Sequence, residues 1–208
     1  MSEPDAGHCD AAPPPDPCAT VLAAAFVHEP AMTWISGGSD RVRHAWFTTT
    51  LRTHAALPGA RRALLADRHG RPVAAAVLTP PGAAPSGGAR VAWAARTLAG
   101  CGPRALLRTL RYLHAAEAET PPGAWTLEFI GVEPAAAGRG AGGRLLDRLL
   151  AATPAPGGVF LTTADEENVG LYHRFGFTTS RCLRVGPLEV TAMWRPDASE
   201  RTRSSRWA

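Results

Sequence analysis

Lysine and glutamine are absent from this chain: all 22 of its basic residues are arginine. An excess of cationic side chains over acidic ones, net +4, would suit nucleic acid if it formed a stripe with interleaved aromatics. The arginines instead alternate with carboxylates except in the C-terminal run RPDASERTRSSRWA, so no nucleic-acid partner is expected. Long apolar runs are missing too. The longest, such as Val73 to Leu78, are strand-sized against the ~20 residues a membrane-spanning helix requires, so no membrane partner is expected. Cysteine is sparse, and Cys9, Cys18, Cys101 and Cys182 show neither C-x-x-C spacing nor a histidine at zinc-finger distance; they read as reduced thiols with no metal site. The N-terminus, MSEPDAGHCDAAPPPDP, has no basic flank and apolar core of the kind a secretory signal carries, which points to a cytoplasmic protein. Aromatics make up only 7%, while 21 glycines and 19 prolines in 208 residues imply many turns around one compact core.

That core is expected over 18–195, between an N-terminal flexible arm (1–17), too poor in large apolar groups to offset its ordering entropy, and a basic disordered tail (196–208). Within it, Asp16-Pro17 reads as the cap of a helix carrying Val21, Leu22 and Phe26 and ending near Glu29-Pro30. Ser39 or Asp40 caps a second helix to about Leu57, with Val42, Trp46 and Leu51 on one side. Residues around 63–67 and 72–78 flank Arg68-His69-Gly70-Arg71 as an antiparallel pair. A helical region from about Val91 to Glu119 is broken at Gly100, Gly102 and Pro103, and Leu106, Leu110 and Leu113 mark its apolar stripe, with His114 at the edge. Trp125 to Val132 then reads as a strand.

Directly after Glu133-Pro134 come Gly138, Arg139, Gly140, Ala141, Gly142 and Gly143, followed by a helix with Leu145, Leu146, Leu149 and Leu150 on one stripe. Closely spaced glycines let several backbone N–H groups converge, and the helix N-terminus adds partial positive charge, a combination suited to a pyrophosphate. Gly138, Gly140 and Gly143 also fit G-x-G-x-x-G, and Asp165 follows the next strand, so a nucleotide-dependent oxidoreductase stays open. A catalytically silent acyl-CoA-binding module is the third possibility.

Beyond that next strand, Val159 to Thr162, stands Asn168-Val169-Gly170-Leu171-Tyr172-His173-Arg174-Phe175-Gly176-Phe177. A strand ending V-x-P, a glycine loop, a strand and N-x-x-x-Y-x-x-x-G-F, in that order, resembles the GNAT superfamily of acyl-CoA-dependent N-acetyltransferases. The resemblance covers about Trp125 to Trp194, and AAAFVHEPAMTW with LLADRHGRPVAAAVLTPP extends it towards the puromycin N-acetyltransferase branch. It implies an α/β fold, with a mostly antiparallel twisted central sheet flanked by helices on both faces. It also implies acetyl-CoA as cosubstrate, with the loop Gly138 to Gly143 on the pyrophosphate, backbone groups along Ile130, Gly131 and Val132 pairing with the pantetheine arm, and Asn168 reaching that arm. Ala137 replaces the polar residue that usually opens the loop, removing one side-chain contact. The acceptor implied is a small-molecule amine such as an antibiotic or secondary metabolite, handled by a monomer or homodimer.

Acyl transfer to an amine needs a neutral amine, a polarised thioester carbonyl and a proton for the departing thiolate. Tyr172, a phenol protonated at neutral pH, suits the last task. Period-2 alternation puts Thr126, Glu128, Ile130 and Val132 on one strand face, which makes Glu128 the candidate base. Phe26, His28, Glu29 and Trp46 fall in the region that the resemblance assigns to the acceptor pocket.

Overall fold

The computed structural model describes residues 16–153 and 156–197. The expected arm and tail lie outside these residues except at their inner ends, and there Asp16 and Pro17 already belong to structure. Asp16 caps α1 (Pro17–Ala25), its carboxylate accepting the Cys18 N–H at 2.9 Å, with Pro17 in the first turn. Glu29-Pro30, expected to end that helix, instead opens a further one. Glu29 accepts the Met32 N–H at 2.6 Å and Pro30 begins α2 (Pro30–Ser36), where a missing N–H costs nothing. Ser39 caps α3 (Asp40–His54).

β1 (Arg61–Ala66) and β2 (Pro72–Thr79) form the expected hairpin. α4 (Gly87–Glu117) is two helices joined across a kink at Gly102, whose φ of 83° and ψ of 169° are open to glycine alone before Pro103. In the second half the buried side is not the expected leucine stripe. Leu110 is exposed, Leu106 and Leu113 are half-buried, and Ala105 and Thr109 face inward. β3 (Trp125–Val132) leads through a 3₁₀ turn (Pro134–Ala136) to α5 (Ala141–Ala152), β4 (Val159–Thr163), α6 (Glu166–Arg174), β5 (Thr178–Val185) and β6 (Leu188–Arg195).

The six strands run in the order β1-β2-β3-β4-β6-β5, antiparallel at every seam but β3–β4. This mixed, mostly antiparallel sheet with helices on both faces is the fold class expected. α1 and α3 cover one face, where Leu22, Phe47, Leu51, Ala75 and Val77 are buried; α5 and α6 cover the other with Leu145, Leu146, Leu149, Tyr172 and Phe177 against Ala74, Ala76 and Leu127. No single helix among the described residues is long and apolar enough to cross a membrane.

Two irregularities of β3 set up the site. Val77 pairs with Phe129 but Leu78 pairs with Leu127, so Glu128 is an extra, bulged residue. On the other side β3 pairs with β4 only at Trp125↔Val159 and Thr126↔Phe160. Beyond these residues the two strands part, and the sheet is open between them.

Candidate active site

The bulge reverses which way the β3 backbone points. At its start the Trp125 N–H donates to Gly158 O on the β4 side, whereas just past its end the Glu133 N–H donates to Val73 O on the β2 side. Alternating back from Glu133, the N–H groups of Ile130 and Val132 point away from β2 into the opening, and that of Gly131 points to β2. The strand therefore offers the opening an unpaired edge. Gly131 has a separate reason to be glycine, since an added Cβ would lie 2.6 Å from the Ala25 Cβ of α1.

At the end of that edge lies the glycine loop. Gly138 and Gly140 have φ of 75° and 71°, and Gly140 stands at the N-cap of α5 with no side-chain cap. No acidic residue occupies the first turn, so the first N–H groups of α5 and the positive end of its dipole remain for an anion. Val132 and Phe175 press on the turn: a Cβ on Gly142 would come within 3.2 Å of Val132 Cγ2, and one on Gly143 within 3.3 Å of Phe175 Cζ. A pyrophosphate at the loop and an extended arm along Ile130 and Val132 fit these residues.

The same bulge corrects the expected strand face. Ile130 and Val132 pack on the α5/α6 side with Leu127 and Tyr172. Glu128 turns to the opposite side, where Thr79 Oγ1, two residues on from core-facing Val77, donates to Glu128 Oε1 at 2.6 Å. Simple alternation fails here because one inserted residue inverts every later side chain. The half-buried Glu128 has its carboxyl pushed up, chiefly by burial, with Glu117 adding and the Thr79 hydrogen bond opposing.

Tyr172 enters the opening from the α5/α6 side. Its side chain is 8% exposed, and its hydroxyl makes no hydrogen bond among the described residues. Burial, followed by the charges of Glu29 and Asp165 and by Tyr112, holds its pKa well above the ordinary phenol value. Tyr112, on the second half of α4, enters from the other side and shares a 3.1 Å hydrogen bond with Thr162 Oγ1 of β4. Burial, the Thr162 hydrogen bond in opposition, and then Glu29 and Glu128 take it to about 12. These are the only two tyrosines in the chain, and each flanks the opening. Sequence reasoning passed over Tyr112; its place three residues after Thr109 on an inward-facing helix was the available signal.

The remaining candidates divide. Asn168 stands at the opening, its amide Nδ2 donating to Asp165 Oδ2 at 2.9 Å. Glu29 shares the surroundings of both tyrosines, its carboxyl raised by burial against the Met32 and Ala31 N–H groups. His28 is exposed. Phe26 and Trp46, expected on the acceptor pocket, instead belong to an edge-to-face aromatic cluster with Phe47 and Phe129. Trp46 is buried there and its indole N–H donates to Thr109 Oγ1 at 2.8 Å. Residues of that size at helical spacing fill the core beneath α3 before they can line a cavity. Asp165, which kept the nucleotide-dependent oxidoreductase open, is the N-cap of α6, its carboxylate accepting the Glu167 N–H at 3.1 Å.

The family model described as Acetyltransferase (GNAT) family matches residues 31–177. Among solved structures, a histone acetyltransferase HPA2 and related acetyltransferase from Corynebacterium glutamicum superposes at a TM-score of 0.63 with 23% identity, covering 87% of this chain and 90% of that one. A Drosophila melanogaster polyamine N-acetyltransferase gives 0.52 at 20% identity over 85% and 91% of the two chains. An acetyltransferase from Thermus thermophilus gives 0.52 at 17% over 86% and 90%. At these identities the likeness is one of fold. No curated protein matches the chain.

Proposed function

The chain belongs to the GNAT family and is an acetyl-CoA-dependent N-acetyltransferase; from that premise we propose that its acceptor is a primary amine of a small molecule, an antibiotic or secondary metabolite of the kind the puromycin branch handles. What supports this reading is the opening between β3 and β4, with Tyr172 on the α5/α6 side of the sheet and Glu128 on the other. A bound thioester arm lying along Ile130 and Val132 presents its carbonyl in that opening, with its pyrophosphate held by backbone donors of the loop Gly138 to Gly143.

Acetyl-CoA supplies an activated acyl group on a thiol leaving group. Glu128, on the α4 side, takes a proton from the incoming ammonium; its raised carboxyl sits nearer the working pH than an ordinary one, which suits a base. The Ile130 N–H, aimed into the opening, donates to the carbonyl oxygen as charge builds there. As the C–N bond forms the nitrogen gives its second proton to solvent; the C–S bond breaks, and Tyr172, on the α5/α6 side, gives its proton to the thiolate and recovers one from solvent. The base and the acid thus work from opposite faces, so amine and thiol need never compete for one space. Asn168, held by Asp165, contacts the arm.

The test is turnover with acetyl-CoA against aminonucleosides, aminoglycosides, polyamines and peptide α-amines. A small-molecule acceptor is expected to show the highest kcat/KM. Preference for a peptide amine would overturn the acceptor assignment and leave the acetyl-CoA chemistry intact.

A further inference from the structure

We propose, building on the acceptor reading above, that Trp34 sets how broad an acceptor can be, because it is wedged between the β5–β6 turn and α4 and closes one side of the approach to the opening. β5 ends at Val185 and β6 begins at Leu188, so Gly186 and Pro187 alone connect the paired strands. Gly186 has φ of 60°, as the first central residue of so short a hairpin turn often must. A Cβ at that position would also lie 2.8 Å from Trp34 Cζ2. Backbone conformation and close approach thus exclude a side chain independently, and the bare turn is what lets the indole of α2 seat against the hairpin.

A second partner holds the same ring. Arg108 of α4 lies over it, with Cζ 5.4 Å from the ring centroid, and Arg108 Nη1 donates to Trp34 O at 2.5 Å. Arg108 enters none of the ion pairs among the described residues, so its charge is spent on this aromatic residue. Trp34 therefore pins α2, α4 and the β5–β6 hairpin to one another. The contact is also peripheral: Trp34 is only half-buried, and Gly186 and Pro187 are exposed, so the ring is clamped at a rim and not simply filling the core.

That rim borders the opening. Trp34 and Tyr112 pack against one buried group, Ala31 of α2 with Val185, Leu188 and Val190 of the hairpin. The Tyr112 hydroxyl lies 3.1 Å from Thr162 Oγ1, and Thr162 stands just beyond Phe160, the last β4 residue paired with β3. The apolar wall that starts at Trp34 thus ends where the two strands part, on the α4 side from which the amine reaches Glu128. A wall packed this closely cannot widen without giving up contacts. A slim acceptor passes it, and one that is broad next to its amine is turned away.

The experiment measures kcat/KM for benzylamine, naphthylmethylamine and biphenylmethylamine, which share a reacting aminomethyl group and differ in bulk, using the full chain and saturating acetyl-CoA. In the parent protein kcat/KM should fall as bulk increases. Trp34→Leu should raise the biphenyl-to-benzyl ratio by at least about tenfold, the discrimination that a methylene-sized contact in a pocket supplies, and Gly186→Ala, which displaces the indole without removing it, should move the ratio the same way. A loss of structure alone would lower all three amines together and leave the ratio where it was. A ratio unchanged in both variants, no turnover of the bulkier amines by either, or a parent protein that takes all three alike overturns the role of Trp34 and leaves the acetyltransferase reading standing. If calorimetry detects no acetyl-CoA binding, the function reading itself falls, and this inference falls with it.

Discussion

Thr79 binds Glu128 across the strand bulge at 2.6 Å, hydroxyl to Oε1, and thereby fixes one carboxylate oxygen while the other keeps no partner among the described residues. Removing the carboxylate with Glu128→Gln should cut kcat/KM for a strongly basic amine by about 10² to 10⁴-fold, and raising pH should partly restore it as more substrate arrives neutral. The hydrogen bond lowers the carboxyl against the larger effect of burial. Thr79→Val should therefore move the acid limb of the pH–rate profile to higher pH, because the base form is populated only above its own pKa. A limb that stays put would separate Thr79 from the titration.

Tyr172→Phe should reduce kcat by ~10² to 10⁴-fold with acetyl-CoA affinity unchanged, since the lost proton acts only as the thiolate departs. Burial and the neighbouring carboxylates hold the phenol above its ordinary value, so Tyr172 contributes no alkaline limb within the stable pH range. Single-turnover kinetics, in which product release is not counted, provide the readout.

Gly142→Asp should abolish measurable acetyl-CoA binding by calorimetry while circular dichroism remains native. The added Cβ meets Val132 Cγ2 at 3.2 Å, a crowding one methyl group can relax, whereas the new charge opposes an anion at the N-terminus of α5. Gly142→Ala separates the two effects and should retain most of the affinity.

His54 makes stability depend on pH. The residue is 7% exposed, Nε2 lies 3.2 Å from Leu78 O and Nδ1 has no partner among the described residues; burial and then Arg62 lower it from 6.5 to about 4. A base whose folded value lies below its unfolded one contributes stability that is fully present above about pH 6.5 and is lost as pH falls towards 4. The loss should reach roughly 3 kcal/mol. Urea unfolding followed from neutral pH down towards the folded value should show this slope, and His54→Gln should flatten it.

How far the sequence could be read depended on whether a feature was local. The strand, glycine loop and helix from Trp125 to Leu150 form a contiguous pattern that lies where periodicity put it, and the Asn168/Tyr172 helix lies where the resemblance put it. Glu128 was placed on the wrong face because the bulge at its own position is invisible to alternation. Leu110 was misplaced because the small residues Ala105 and Thr109, not the leucines, form the buried side of that half-helix, and leucine spacing alone does not show which side a partner covers. Pro30 reads equally as a stop or a start, and only the Glu29 cap decides it. The β5–β6 hairpin went unread because most of β5 is exposed, so no apolar alternation marks it. Tyr112 flanks the opening from a helix whose partner on β4, Thr162, is remote in sequence, a relation that no local pattern encodes.

The parting of β3 from β4 gives the domain a mechanical character. Its sheet is two three-stranded leaves, β1-β2-β3 and β4-β6-β5, joined by two residue pairs at one end. That joint is tight: a Cβ on Gly157 would strike Gly123 O at 2.2 Å, and the Trp194 indole is tied to Gly157 O at 3.1 Å. Leaves fastened at one end can flex at the other, and an arm bound along Ile130 and Val132 as proposed would bridge the free margins. Stiffness of the domain and grip on acetyl-CoA are then two readings of one coupling free energy. A substitution that loosens the joint at Gly157 should therefore weaken acetyl-CoA binding measured by calorimetry without touching the cosubstrate.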